Sequence, residues 1–498
     1  MSEMLPLSFA QARLWFLHKY EGPAAAYTIP LAMRLTGRLD AAAMNAAIGD
    51  VVTRHESLRT VFVETDGVPF QRVLAAEAAV PVAVSEVAGA GVAAAVEEAA
   101  AYRFDLATEI PIRADLLRVS PTEQVLVLVI HHIAADGASL VALARDLSVA
   151  YTARCAGRAP DWAPLPVQYG DYTSWQREVL GSADDPDSLL SRQFDYWRSE
   201  LAGAPEQITL PFDRPRPPRQ SFTGEVVSFS IDARLRERLE QLARATGATL
   251  SMVLQAGVAV LLRKLGAGDD HLIGGPIAGR TDAALADLVG FFANTWVLRV
   301  DTSHNPSFSG LLEQIRGKAL GAYDNQDVPF ERLVELLNPT RSAAHNPIFQ
   351  VLFALHNNPL PQFSLPGLRA ETLPTPTRTA RFDLAIALED PPPTPGQPQP
   401  LAGTIEYATD LFDHATVERF TAYYLRILEA VTADPHRRIE SIEIINPAER
   451  HRLLTECNDT ATAIPEATLA ELFATQAART PEAPAVEDDK HLPRDQPE

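Results

Sequence analysis

The chain has 498 residues, 46% of them hydrophobic and 21% charged, and a formal net charge of −21 from 43 Lys and Arg against 64 Asp and Glu. That composition supports a buried core and excludes a disordered, collagen-like or mini-protein chain; at roughly 150 residues per domain it predicts about three domains, or two large ones and a tail. The acid excess argues against nucleic acid or an anionic membrane as the main partner, and no run approaches the ~18 uninterrupted apolar residues of a membrane span.

The N-terminal stretch MSEMLPLSFAQARLWFLHKY carries Glu3, Arg13 and Lys19 through its apolar part, so it reads as the start of the folded protein and not as a signal peptide. Residues 40–53 are Ala-rich and predict a helix. RHESLRTVFVE then leads into a strand, and Thr65-Asp66-Gly67 turns it into a partner strand, VPFQRVL. A second Ala-rich helix covers residues 92–101. Residues 124–130 (QVLVLVI) are almost all apolar and rich in β-branched side chains, the pattern of a strand buried on both faces. A helix follows at 138–151. Near Leu210 the composition shifts: PFDRPRPPR loses backbone donors and fixes φ at its prolines, so it is expected to cross between two lobes. GEVVSFSI is a strand, and Asp232 caps a helix that presents Leu235, Leu239 and Leu242 on one face and closes at Gly247. A helix at 251–265, strands at 349–355 and 382–388, a break at DPPPTPGQPQP, a strand in GTIEYATDLF and a helix at 416–431 complete an α/β pattern in both halves. From Ile445 the texture becomes that of a polar linker. Cys155 and Cys457 have no metal or redox spacing and read as reduced thiols of a cytosolic protein.

The sharpest local feature is His131-His132-Ile133-Ala134-Ala135-Asp136-Gly137, set between the buried strand and a helix. Neighbouring residues on a strand point to opposite faces, so one imidazole should face a cavity and the other pack behind it, and the two cannot easily share one metal ion. The spacing matches no zinc pattern, and the chain has no GxSxG elbow, P-loop or Rossmann fingerprint. An acyl transfer assisted by one neutral histidine and a pair of structural histidines at a strand end are the two readings of the motif taken alone.

Seven segments together resemble the condensation domains of nonribosomal peptide synthetases, over about residues 5–445. They are SFAQARLWFL (8–17), RHESLRTVF (54–62), HHIAADGAS (131–139), YGDYTSW (169–175), IGGPIAGR with LVGFFANT (273–295), NQDVPFERLV (325–334) and RSAAHNPIFQV (341–351). The resemblance implies two chloramphenicol-acetyltransferase-like lobes forming a V-shaped pseudo-dimer with a tunnel between them: an N-terminal lobe at 1–180 and a C-terminal lobe at 181–445. A linker with the start of an adenylation domain at 446–486 and a disordered tail at 487–498 would follow. It implies amide formation between an upstream acyl or peptidyl thioester and a downstream aminoacyl amine, both carried on phosphopantetheine arms of carrier proteins, with no cofactor or metal bound by this chain itself. The expected state is a cytoplasmic monomer that works with donor and acceptor carriers and the adenylation domain.

By the same resemblance His132 is the catalytic imidazole in the tunnel, as general base or as stabiliser, and His131 packs behind it. Asp136 and Arg280 form a structural pair. Gly137 lies by the reacting groups, with a tight turn at positive φ as its alternative. Ser139 and Asn294 are possible tunnel lining, and Ala138 leaves the local width open. Arg54 and Arg59 are expected in buried pairs, and Trp15, Phe16, Trp175, Phe291 and Phe292 in the core. The motif pattern resembles the subtype that joins two L-configured units. A coenzyme A-dependent acyltransferase and a noncatalytic docking domain are the alternatives in function.

Overall fold

The computed structural model describes residues 4–22, 25–76, 80, 82–340, 342–357, 361–375, 378–390, 399–461 and 466–484. They divide into two compact units, Met1–Ile444 and Ile445–Glu498.

The first unit holds two lobes, each built on its own sheet. In the first lobe the strand order is Leu368–Leu373, Thr28–Gly37, Glu123–His131, Ile112–Ser120, Val82–Glu86. Glu123–His131 sits in the centre, antiparallel to a neighbour on each side. Every residue from Gln124 to His131 is buried, which is why that stretch has no polar alternation. Helices Ala41–Arg54, Val92–Ala100 and Ser139–Cys155 pack with this sheet. Asp40 caps the first of them through the Ala43 amide. A small sheet of Met4–Pro6, Val68–Val73 and Thr60–Thr65 stands beside it.

The second lobe has six strands in the order Asn294–Asp301, Asp270–Ile277, Val351–His356, Leu384–Glu389, Leu401–Ala408, Gly224–Ile231. Helices Ala233–Thr246, Leu250–Lys264, Phe308–Asp324 and His414–Ala433 cover it. The first of these has Asp232 as its N-cap and ends at Gly247 in the left-handed region, where glycine carries no Cβ penalty. The fold is mixed α/β, of the chloramphenicol-acetyltransferase-like kind that the resemblance implies.

Two features depart from the sequence reading. The proline-rich segment near Leu210 does not cross between lobes. It is anchored on the second: the Asp213 amide donates to Leu411 O, and the Arg216 guanidinium pairs with the buried carboxylate of Asp383. Leu180, Leu190, Phe194 and Trp197 already belong to the second lobe's core, so the chain changes lobes before the prolines. The lobes also exchange material. Leu368–Leu373 pairs with Thr28–Gly37 in the first sheet, and Val289 and Leu365 are buried in the first core.

The second unit contains helix Pro447–His451, with Asn446 as its N-cap, and helix Leu469–Arg479, opened by a Thr468/Glu471 capping box. Neither helix has a buried residue. The expected disordered tail at 487–498 and most of DPPPTPGQPQP lie outside the described residues.

Candidate active site

The central strand ends at His131, and the chain turns through residues 132–138 before helix Ser139–Cys155. A strand in the middle of a sheet is a rigid mount for a side chain at its end. The two histidines are held differently. His131 is buried, its Nδ1 accepts from the Ile133 amide at 3.1 Å, and its ring meets Phe104 edge-on. His132 is half-buried. Its amide donates to Tyr27 O at 2.8 Å, and its ring centroid lies 5.9 Å from that of Phe291. Its Nδ1 is buried and makes no hydrogen bond among the described residues.

Burial lowers the pKa of both imidazoles to about 3. For His132 the cation of Arg381 adds to the effect of burial, followed by His131. The Arg381 guanidinium also lies 5.9 Å over the Tyr27 ring. His132 is therefore a neutral imidazole at any working pH, able to accept or donate one hydrogen bond per ring nitrogen.

Asp136 does not reach toward the imidazole. It is buried and holds the second lobe: Oδ1 accepts from Arg280 Nη2 at 3.0 Å and from the Ser139 amide and hydroxyl, and Oδ2 accepts from the Phe292 amide at 3.0 Å. Arg280 also donates to Ser139 Oγ at 2.8 Å and to Leu288 O at 2.9 Å, and its guanidinium covers the Phe292 ring at 4.2 Å.

Ser139 is not wall lining. It is 1% exposed and bound into this cluster, because Asp136 and Arg280 leave its hydroxyl no free face. Gly137 is exposed and is not at positive φ, so no tight turn requires it; a Cβ built there meets nothing within 4 Å. Ala138 beside it is half-buried.

Asn294 is tied to the segment at residues 326–330 and also borders a cleft. Its side-chain amide donates to Gln326 O and Val328 O and its oxygen accepts from the Phe330 amide. It also lines a cleft with Tyr172, Trp175, Phe292 and Asp327, a lining that does not include His132. Arg54 pairs with Asp146 and Arg59 with Glu56 in largely buried positions.

Trp15 and Phe292 are core residues, whereas Phe16 is 61% exposed, stacked on Tyr20 one turn later on the outer face of helix Phe9–Glu21. Trp175 is 43% exposed at the cleft, and Phe291 is half-buried against His132. Sequence reasoning missed Tyr27, Arg381 and the functional position of Phe291. Their only signal is three-dimensional, because each lies far along the chain from the histidine pair.

The Condensation domain family matches residues 1–454. Over 485 residues, 97% of its length, the chain is 55% identical to a probable non-canonical nonribosomal peptide synthetase, CymA, of Salinispora arenicola, and 47% identical to a dimodular nonribosomal peptide synthase of Bacillus subtilis. It spans 6% and 20% of those two proteins respectively. Among solved structures, the X-domain from teicoplanin biosynthesis is 35% identical with a TM-score of 0.84, over 89% of this chain and 98% of that one.

Proposed function

Because the chain belongs to the condensation-domain family of nonribosomal peptide synthetases, we propose that it forms an amide bond between two carrier-bound substrates, with His132 as the group that touches the reacting atoms. The observation that carries this reading is a neutral, half-buried imidazole at the end of the central strand, in a turn with open space beside Gly137. The amine nitrogen of a downstream aminoacyl thioester attacks the carbonyl carbon of an upstream acyl thioester. The C–N bond forms, the C–S bond breaks, and the proton lost from nitrogen ends on the departing sulfur. The upstream carrier leaves with a free phosphopantetheine thiol.

A base is most effective when its conjugate acid has a pKa near the working pH. A conjugate acid at about 3 makes His132 a weak base. A hydrogen bond that orients the amine or stabilises the tetrahedral state is the role that fits it better. Holding both tethered substrates at one point supplies much of the remaining rate. Upstream and downstream carriers and an adenylation domain are the partners, and joining two L-configured units is the subtype.

The test incubates the purified protein with one acyl-loaded and one aminoacyl-loaded carrier and follows the product on the downstream carrier by mass spectrometry. Amide product that depends on both carriers supports the reading. Product formed only from an acyl-coenzyme A would replace it with the coenzyme A-dependent acyltransferase. A second reading, a docking domain, is favoured by the 35% identity to the teicoplanin X-domain, which was also solved in complex with OxyB. It predicts no amide product with any donor and acceptor pair.

A further inference from the structure

Between strands Asp270–Ile277 and Asn294–Asp301 of the second lobe, the chain leaves its own sheet and enters the first lobe, where Val289 is buried in the core. A loop in that position needs partners for its backbone polar groups, since it has no strand to pair with. Side chains supply them at every residue from Leu288 to Phe292. Arg280 donates to Leu288 O, Ser57 Oγ to Val289 O at 2.7 Å, and the Tyr169 hydroxyl to Phe291 O at 2.7 Å. The Gly290 amide donates to Ser139 Oγ and the Phe292 amide to Asp136.

The Val289 amide donates to Nδ1 of His55 at 3.3 Å. Accepting that bond requires an unprotonated Nδ1, so the imidazole proton is on Nε2, which lies 2.9 Å from Asp146 Oδ2. Asp146 is in turn held by Arg54 at 2.9 Å and by Arg145. His55 is 1% exposed, and burial keeps its pKa below the usual value, so it stays neutral. This histidine–carboxylate pair grips the peptide two residues before Phe291, whose ring faces His132.

We propose that His55 is a positioning residue: through Val289 it sets the place of the Phe291 ring against His132, and so the shape of the pocket in which the imidazole meets its substrates. This rests on the function proposed above. The Asp146–His55 bond fixes the tautomer, the tautomer fixes the acceptor, and the acceptor fixes the loop.

The test uses the full chain in four forms: wild type, His55→Asn, His55→Gln and Ser57→Ala. Asparagine places a polar atom near the position of Nδ1, whereas glutamine reaches toward Asp146 and leaves the Val289 amide without its acceptor. Ser57→Ala removes the other bond to Val289 and leaves His55 in place, so the proposal stays testable if the glutamine variant fails to fold. Each is made with and without 4-fluorophenylalanine at position 291, whose fluorine resonance reports the ring's surroundings without turnover.

The expected result for His55→Gln and Ser57→Ala is a shifted fluorine resonance and a kcat lower by about tenfold or more, as small misplacements produce, with KM little changed. In His55→Asn the resonance and most of the kcat return. A resonance that stays at the wild-type position in both His55→Gln and Ser57→Ala would overturn the proposal. So would an asparagine variant as impaired as the glutamine one, or a loss confined to the melting temperature. If wild type makes no amide at all, the proposed function fails, and the resonance still decides whether His55 places Phe291.

Discussion

Asp136 and Arg280, 144 residues apart, meet at 3.0 Å and tie the turn that carries His132 to the second lobe. The pair is almost dry, with side-chain exposures of 3% and 10%. The carboxylate also accepts from the Phe292 amide on the incoming loop. The ion pair therefore fixes where the two lobes meet, and it acts on the reaction through that geometry, without contact to the imidazole.

Asp136→Ala is expected to lower stability by about 3–5 kcal/mol, because it leaves a guanidinium buried and unpaired. Asp136→Asn keeps an oxygen acceptor and should cost less. Urea unfolding of the three proteins checks this, and an alanine variant as stable as wild type would mean the pair contributes nothing to the lobe junction.

His132→Ala should fold as wild type does, since the ring is half-buried and its Nδ1 makes no hydrogen bond among the described residues. Condensation should slow by about 10²-fold or more, the usual loss for a group that stabilises a transition state. Turnover from two loaded carriers, with a thermal melt beside it, measures both. Near-normal turnover would remove His132 from the reaction.

Much of this arrangement was legible in the sequence for local reasons. The strand ending at His131 announced itself by seven consecutive residues with almost no polar break, and its burial on both faces is the cause. Helix Ala233–Thr246 was bounded by its own caps, Asp232 and Gly247. Other strands hid behind residues that usually mark turns. Thr28–Gly37 carries Pro30, which ordinarily demotes a strand. Asp270–Ile277 contains Gly274, Gly275 and Pro276, and there the glycines let the Phe349 and Trp296 rings lie against the backbone, in space a Cβ would occupy. At the site, the histidine pair and its aspartate showed as one motif. His55 gave no sign, because its partners Asp146 and Val289 are 91 and 234 residues away.

Acid should destabilise the fold through its buried histidines. Burial holds His131 at about 3 and His271 at about 4, against 6.5 for an exposed imidazole. Below pH 6.5 the unfolded chain takes up protons that the folded chain refuses. Stability is therefore whole above about pH 6.5 and falls as pH drops toward the folded values, by up to ~1.4 kcal/mol per pH unit for each such group. Both ring nitrogens of His271 are buried and make no hydrogen bond among the described residues, so His271→Leu loses no such bond. Urea unfolding at pH 7.5 and pH 5 should show a smaller acid loss in this variant than in wild type. Equal losses would mean that His271 titrates normally in the fold.

Arg381→Gln should raise the pKa of His132, because the cation is the second cause of its depression after burial. The rise is partial, since burial remains. An imidazole titration by NMR, with the His132 signal assigned by its loss in His132→Ala, reads it directly. An unchanged titration would place Arg381 outside the field that His132 feels.

Gly137 separates space from strain. Its φ is ordinary and a Cβ there touches nothing within 4 Å, so the backbone does not need glycine. It stands two residues before helix Ser139–Cys155, where glycine's freedom in the unfolded chain is a cost to folding. Gly137→Ala should therefore fold with unchanged or slightly higher stability, a gain of about 0.4–1 kcal/mol where the conformation suits. It should also keep its turnover, because one methyl group does not fill open space. Gly137→Leu should fold as well, but it puts a branched side chain into the open space at the end of the turn that carries His132, which the proposed reading gives to the pantetheine arms. Condensation with carrier-bound substrates should then fall far more than with short, soluble thioesters. A leucine variant that condenses carrier-bound substrates at the wild-type rate would show that the arms approach His132 from elsewhere. An alanine variant that melts well below wild type would restore a backbone reason for the glycine.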